Sequence, residues 1–132
     1  MKNESLDTNL LLRLLTNDNP AQRKKVVKLL SCPNVTYHVA DLAISETVYV
    51  LSTATACTRQ EIASLIQQIL NQPNINCNRA LFFDAMQLYL FHPKLSFNDC
   101  CLAIYAKLNQ AEPLWTFDKK LAIQAENAKL LA

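Results

Sequence analysis

Hydrophobic and polar residues change their period along this chain in an order that predicts alternating helices and short strands. Asn9 to Leu15 is apolar at helical spacing and follows the polar stretch Lys2 to Leu6, which is expected to form a short first strand at the centre of a sheet. Asn19 before Pro20 marks the next helix start, with proline at the first helical position and Val26, Val27 and Leu30 on its buried side. Cys32-Pro33-Asn34 breaks that helix, and Val35 to Val39 alternates as a strand does. From Asp41, expected as a helix cap, the period is helical again, with Ile44, Val48 and Leu51 on one face and Glu46 off that line. Thr58 and Glu61 form a capping box that opens a helix carrying Ile62, Leu65, Ile66, Ile69 and Leu70. Ile75 to Cys77 reads as a short strand and Arg79 to Phe91 as a helix, with Asp84 facing solvent.

The last third repeats the alternation. Ser96 is positioned to cap a helix with Asp99 in its first turn and Leu102, Ala103, Ala106 and Leu108 as apolar positions. Asn109 is a tolerable left-handed stop, Leu114-Trp115-Thr116 is expected as a buried strand, and Asp118 follows its C-terminal end. Lys119 to Ala132 reads as a closing amphipathic helix with Leu121, Ala125 and Leu130 inward. Strands alternating with helices point to an α/β protein with a parallel sheet, whose carboxyl edge is where ligands bind.

The chemistry-bearing residues on this frame are acids. A carboxylate near a helix N-terminus stabilises by about 0.3–1 kcal/mol without any ligand, so capping alone accounts for Asp99, and a solvated helix glutamate looks the same as Glu46. The stretches SLDTNLLLRLL, SETVYVLS, LSFNDCCLAIYA and LWTFDKKLA, taken in order and spacing, resemble PIN-domain nucleases, and among them the VapC-type ribonuclease toxins of toxin–antitoxin pairs. The resemblance covers nearly the whole chain and rests on four acids at matching places. It implies a single PIN domain over residues 1–132, with a Rossmann-like short parallel sheet of about four to five strands surrounded by about seven helices.

By the same resemblance, Asp7, Glu46, Asp99 and Asp118 are the catalytic and metal-binding residues. Asp7 and Asp99 are expected as direct ligands of Mg²⁺ or Mn²⁺, and Asp118 and Glu46 as ligands through water or of a second ion. Asn9 and Thr116 would orient those carboxylates. The implied activity is metal-dependent hydrolysis of RNA, and the implied partners are a cognate antitoxin and a second copy in a homodimer. Two other outcomes fit the same residues: a PIN-fold binding module with weak or no activity, and a non-toxin PIN nuclease of RNA processing. The polar first strand departs from the family pattern, which has apolar residues before the first aspartate.

Composition narrows the field. The chain has 132 residues, 51% of them hydrophobic, and a formal net charge of +2, too small to hold RNA by an overall field. With no glycine at all, neither a GxGxxG fingerprint nor a phosphate loop can be present, which excludes dinucleotide enzymes and P-loop NTPases. Turns needing positive φ are expected to use asparagine. Cys32, Cys57, Cys77, Cys100 and Cys101 show no metal-ligand spacing among themselves or with His38 and His92, and are expected as reduced core thiols of a cytoplasmic protein. No apolar run is long enough for a membrane span or a secretory signal. Arg23, Lys24 and Lys28 read as a solvated helix face, with RNA contact the less favoured account.

Overall fold

A computed structural model describes every residue from Met1 to Ala132, in the order β1 (Lys2–Ser5), α1 (Thr8–Leu15), α2 (Pro20–Leu30), β2 (Val35–His38), α3 (Asp41–Ala54), α4 (Arg59–Leu70), β3 (Ile75–Asn76), α5 (Arg79–Phe91), α6 (Phe97–Leu108), β4 (Leu114–Thr116), α7 (Lys119–Gln124) and β5 (Ala128–Leu130). The protein is α/β with seven helices, and all its strand pairs are parallel. Its five strands form a three-stranded sheet and a two-stranded sheet rather than one continuous one. Each sheet belongs to its own unit, Met1–Asn78 or Arg79–Ala132.

In the first unit the strand order is β1-β2-β3, with Lys2 opposite Val35 and Tyr37 opposite Ile75. Parallel neighbours need long crossovers, and the helix pairs α1–α2 and α3–α4 supply them. The middle place falls to β2, not to β1 as expected. Strand β1 is an edge of this sheet and all four of its residues are exposed, which suits Lys2, Asn3, Glu4 and Ser5. The core gathers Leu6, Leu11, Val26, Tyr37, Ile44, Val48, Leu51, Ile62, Ile66, Ile69 and Ile75. Val27 lies outside it at 41% exposure, because α2 buries only a narrow stripe. Tyr37 is enclosed and its hydroxyl donates to the Leu29 carbonyl at 2.7 Å, so burial pushes its phenol pKa up.

The caps follow the sequence signals with one exception. Asn19 accepts the Gln22 N–H, and the Thr58–Glu61 box is complete on both sides. Asp41 is not a cap. Ala40 holds that place without a side-chain bond, and Asp41 is the first helical residue, where its charge still complements the helix dipole.

In the second unit α5 packs on α6, and β4 lies against α6 and α7. Leu81, Phe82, Ala85, Met86, Tyr89, Leu95, Phe97, Cys100, Ala103, Ala106, Leu121 and Ala125 are buried, with Tyr89 edge-on to Phe97 at 5.7 Å. Leu102 and Leu108 are exposed. Two expectations fail here. Asp84 is half-buried rather than solvent-facing. Strand β4 is not buried: Trp115 is exposed, with the Lys129 ammonium 5.4 Å from its ring.

The expected closing helix stops after Gln124 and the chain returns as β5, pairing Leu114 with Ala128 and Thr116 with Leu130. Tertiary bonds override helical propensity at this point. The Asn127 amide donates to the Ala103 carbonyl at 2.9 Å, and Leu114 N–H donates to the Asn127 carbonyl.

Helix α6 ends in a Schellman motif: Gln110 N–H reaches the Lys107 carbonyl and Ala111 N–H the Ala106 carbonyl. The left-handed residue is therefore Gln110 (φ 54°), one position beyond Asn109, while Asn34 (φ 61°) is the asparagine that does fill such a place. The five cysteines are free thiols, but only Cys100 is buried and Cys32 is exposed.

Candidate active site

Each unit carries two of the candidate acids. In the first, Asp7 follows β1 after the buried Leu6 and caps α1, its Oδ1 accepting the Leu10 N–H at 3.1 Å. Strands β1 and β2 are parallel, so Asp7 and the start of α3 leave the sheet at the same edge, and α1 packs on α3. Glu46 is exposed on the second turn of α3, away from the buried line of Ile44, Val48 and Leu51. Asn9 is exposed in the first turn of α1.

In the second unit Asp118 caps α7, its Oδ1 accepting from Lys120 N–H at 2.9 Å and Leu121 N–H at 3.2 Å. The Thr116 hydroxyl accepts the Asp118 N–H at 2.9 Å, so Thr116 fixes the backbone of Asp118 rather than its carboxylate. Asp99 is half-buried in the first turn of α6, where Ser96 Oγ accepts its N–H at 3.1 Å. The helix cap there is Ser96, which leaves the Asp99 carboxylate free of that task. The Asn127 bonds set the start of β4 beside the middle of α6.

Capping and metal binding do not compete for the same atoms. Only Oδ1 of Asp7 and of Asp118 is used by helix N–H groups, and Oδ2 in each accepts nothing from the protein. The donor set is oxygen only, as hard divalent cations require, and Mg²⁺ is commonly held by one or two carboxylates with the remaining positions filled by water. By donor chemistry these acids fit such an ion. No group of three or more His, Cys, Asp or Glu side chains stands close enough together to hold a metal.

A pocket of about 510 Å³ adjoins Asp7, lined also by Asn9, Arg13, Gln22, Lys25 and Leu29. Arg13 is tied down in its wall, Nε donating to Gln22 at 2.5 Å and the guanidinium pairing with Asp18 at 3.3 Å. The Thr16 hydroxyl, and behind it Arg13, hold Asp18 below the usual carboxylate range. The sequence pattern does not single out Lys25, because it sits at the edge of the stripe made by Gln22, Val26 and Leu29. The signal that could have found it is the i, i+3, i+4, i+7 spacing of those residues around it.

Against known families, the chain matches the PIN domain over residues 5–127. The protein belongs to the PIN-domain family, a family of nucleases. Among solved structures, VapBC2 from Rickettsia felis bound to a DNA fragment from their promoter is similar at 18% identity and a TM-score of 0.39, covering 99% of this chain and 98% of that one. Comparison with curated proteins returns no match. No helix is long and apolar enough to cross a membrane.

Proposed function

We propose that residues 1–132 act as one PIN domain, a metal-dependent endoribonuclease that serves in the cytoplasm as the toxin of a toxin–antitoxin pair. The observation that carries this reading is the family match from residue 5 to residue 127, which includes all four acids. Asp7 and Asp99 hold Mg²⁺ or Mn²⁺ directly. Asp118 and Glu46 bind through water, orient the attacking water or take a second ion. Asn9 and Thr116 orient these carboxylates, Thr116 through its bond to the Asp118 N–H. A bound divalent cation supplies a water acidic enough to attack at neutral pH and charge neutralisation on the phosphoryl oxygens. The oxygen atoms left uncapped on Asp7 and Asp118 support these roles.

A cognate antitoxin and a second copy of the chain complete the assembly. For the homodimer, the support is the pair Leu42 and Tyr49, two turns apart on α3 and exposed at 69% and 66%.

The test is cleavage of tRNA, rRNA and mRNA pools by the purified protein with Mg²⁺ or Mn²⁺ and with chelator. Chelation is expected to abolish cleavage. Because loss of groups that merely orient a ligand typically lowers metal affinity or activity by about 10–100-fold, Asp7→Asn and Asp99→Asn should each lose roughly 100-fold or more. Asp84→Asn on α5 serves as the control. Full cleavage by both site variants, or an equal loss in the control, would sink the assignment. Light scattering that finds only monomer at micromolar concentration would remove the dimer.

A further inference from the structure

From Asn19 to Ala40 the chain has no acidic residue but carries Arg23, Lys24, Lys25 and Lys28, all exposed on α2. Its net charge of +2 is therefore concentrated here, and the rest of the chain is slightly negative. An ordinary solvated helix face mixes signs, since like charges three or four residues apart destabilise a helix by about 0.2–0.5 kcal/mol per pair. Here Lys24 and Lys28 are such a pair, and Lys25 and Lys28 another, with no acid on the helix to offset them. Arg23 donates to the Leu14 carbonyl at 3.1 Å, whereas Lys24, Lys25 and Lys28 form no hydrogen bond or ion pair. Lys25 also lines the pocket that contains Asp7, together with an Arg13 already held by Asp18 and Gln22.

We propose that this basic face of α2 holds the sugar-phosphate backbone of single-stranded RNA, with Lys25 drawing one phosphate into the pocket beside Asp7. The inference rests on the nuclease reading and adds the residues that hold the substrate strand. Three free ammonium groups within little more than one helical turn gather positive charge for neighbouring phosphates, and a pocket of about 510 Å³ is roomy enough for a nucleotide unit. Each phosphate neutralised releases counterions, so binding weakens with salt in proportion to the number of contacts. Nothing in this arrangement reads bases. It sets where along the strand Asp7 meets a phosphate.

The experiment measures binding of a fluorescent 12-residue oligouridylate to the full chain by anisotropy, in chelator so that nothing is cut, across a salt series. Lys25→Gln/Lys28→Gln removes two contacts. The magnitude of its slope of log affinity against log salt should fall by about 1.4, with binding roughly tenfold weaker at low salt. With Mg²⁺ or Mn²⁺ present, its KM for RNA should rise while kcat holds. Lys94→Gln/Lys107→Gln, an equal charge loss elsewhere, should leave the slope and KM close to wild type.

Four results would overturn the proposal: wild type that binds no oligonucleotide, an unchanged slope and KM in the α2 variant, an equal loss in the control, or tighter and equally Lys25-dependent binding of polyglutamate, which would assign the face to an acidic protein segment. Cleavage with an unchanged KM in the α2 variant refutes this inference and leaves the nuclease intact. Lys25-dependent RNA binding without cleavage under any metal does the reverse.

Discussion

Two junctions in this protein use the same device, a strand whose end runs into an aspartate that caps the following helix, and they differ in what stands behind the cap. At β1–Asp7–α1, one helix N–H is capped and eight helical residues follow, with Leu11 and Leu12 buried and contacts to α2 and α3. At β4–Asp118–α7, two N–H groups are capped, but only six helical residues follow, Leu121 alone is buried and Ile123 is 79% exposed. A helix long enough to bury a stripe owes its stability to packing, and its cap is an increment. A helix of six residues depends on its cap and on the strand that follows it. The free Oδ2 of each aspartate, the atom that the proposed metal site would use, is thus held by two different supports.

The sharpest way to separate those supports is to cut the packing. Leu11→Ala removes a fully enclosed side chain and should destabilise by about 2–5 kcal/mol, whereas Ile123→Ala on the exposed face of α7 should stay within about 0.5 kcal/mol. Urea midpoints at constant slope measure both. Equal effects would mean that α7 is packed as α1 is, and the contrast would be lost.

Removing the caps should reverse the ranking. Asp118→Ala strips two N–H groups and is expected to lose about 2 kcal/mol, Asp7→Ala about 1 kcal/mol. Asparagine caps as well as aspartate, so Asp7→Asn and Asp118→Asn should lose only the charge–dipole contribution, about 0.3–1 kcal/mol. This matters for function. An Asn variant that folds normally yet does not cleave separates the metal role from the capping role, while an Asn variant that melts as low as its Ala counterpart would show that asparagine does not replace the cap, and its lost cleavage would follow from lost stability.

The contrast between the units also explains what could be read from the chain. In the first unit, periodicity and caps placed α1 to α4 within a residue or two, because those helices bury most of the stripes their sequences display, Val27 on α2 excepted. In the second, the same reasoning put Leu130 inside, whereas it is exposed. Periodicity shows which side chains share a face, but it does not show that the face finds a partner. Strand β5 was unreadable for a related reason. Its pairing depends on Asn127 reaching the Ala103 carbonyl 24 residues earlier, a contact with no local signature. Asp7, Asp99 and Asp118 were legible as strand-end or helix-start residues, and Glu46 only as a residue off the apolar line of α3. Lys25 was not, since its meaning comes from a pocket assembled by two helices rather than from its own helix.

The smallest effect concerns a third cap, on α4, which lies at neither junction and calibrates what a charged box contributes by itself. Thr58 N–H donates to Glu61 Oε1 at 3.0 Å and Glu61 N–H to Thr58 Oγ1 at 3.1 Å. The Thr58 backbone bond, then its side chain, hold the Glu61 carboxyl below its ordinary value of 4.5. A carboxyl whose folded pKa is depressed binds protons more readily in the unfolded chain. Its stabilisation is therefore complete above the unfolded value and is lost as pH falls through the folded one. Glu61→Gln keeps the box but does not titrate. Wild type should exceed this variant in urea midpoint at about pH 6, and the gap should close as pH falls below 4.5 through the lowered folded value and the carboxyl protonates. A gap that stays constant over that range would show that the box acts through geometry alone, and the charge–dipole contribution assigned to Asp7 and Asp118 would then have to be lowered as well.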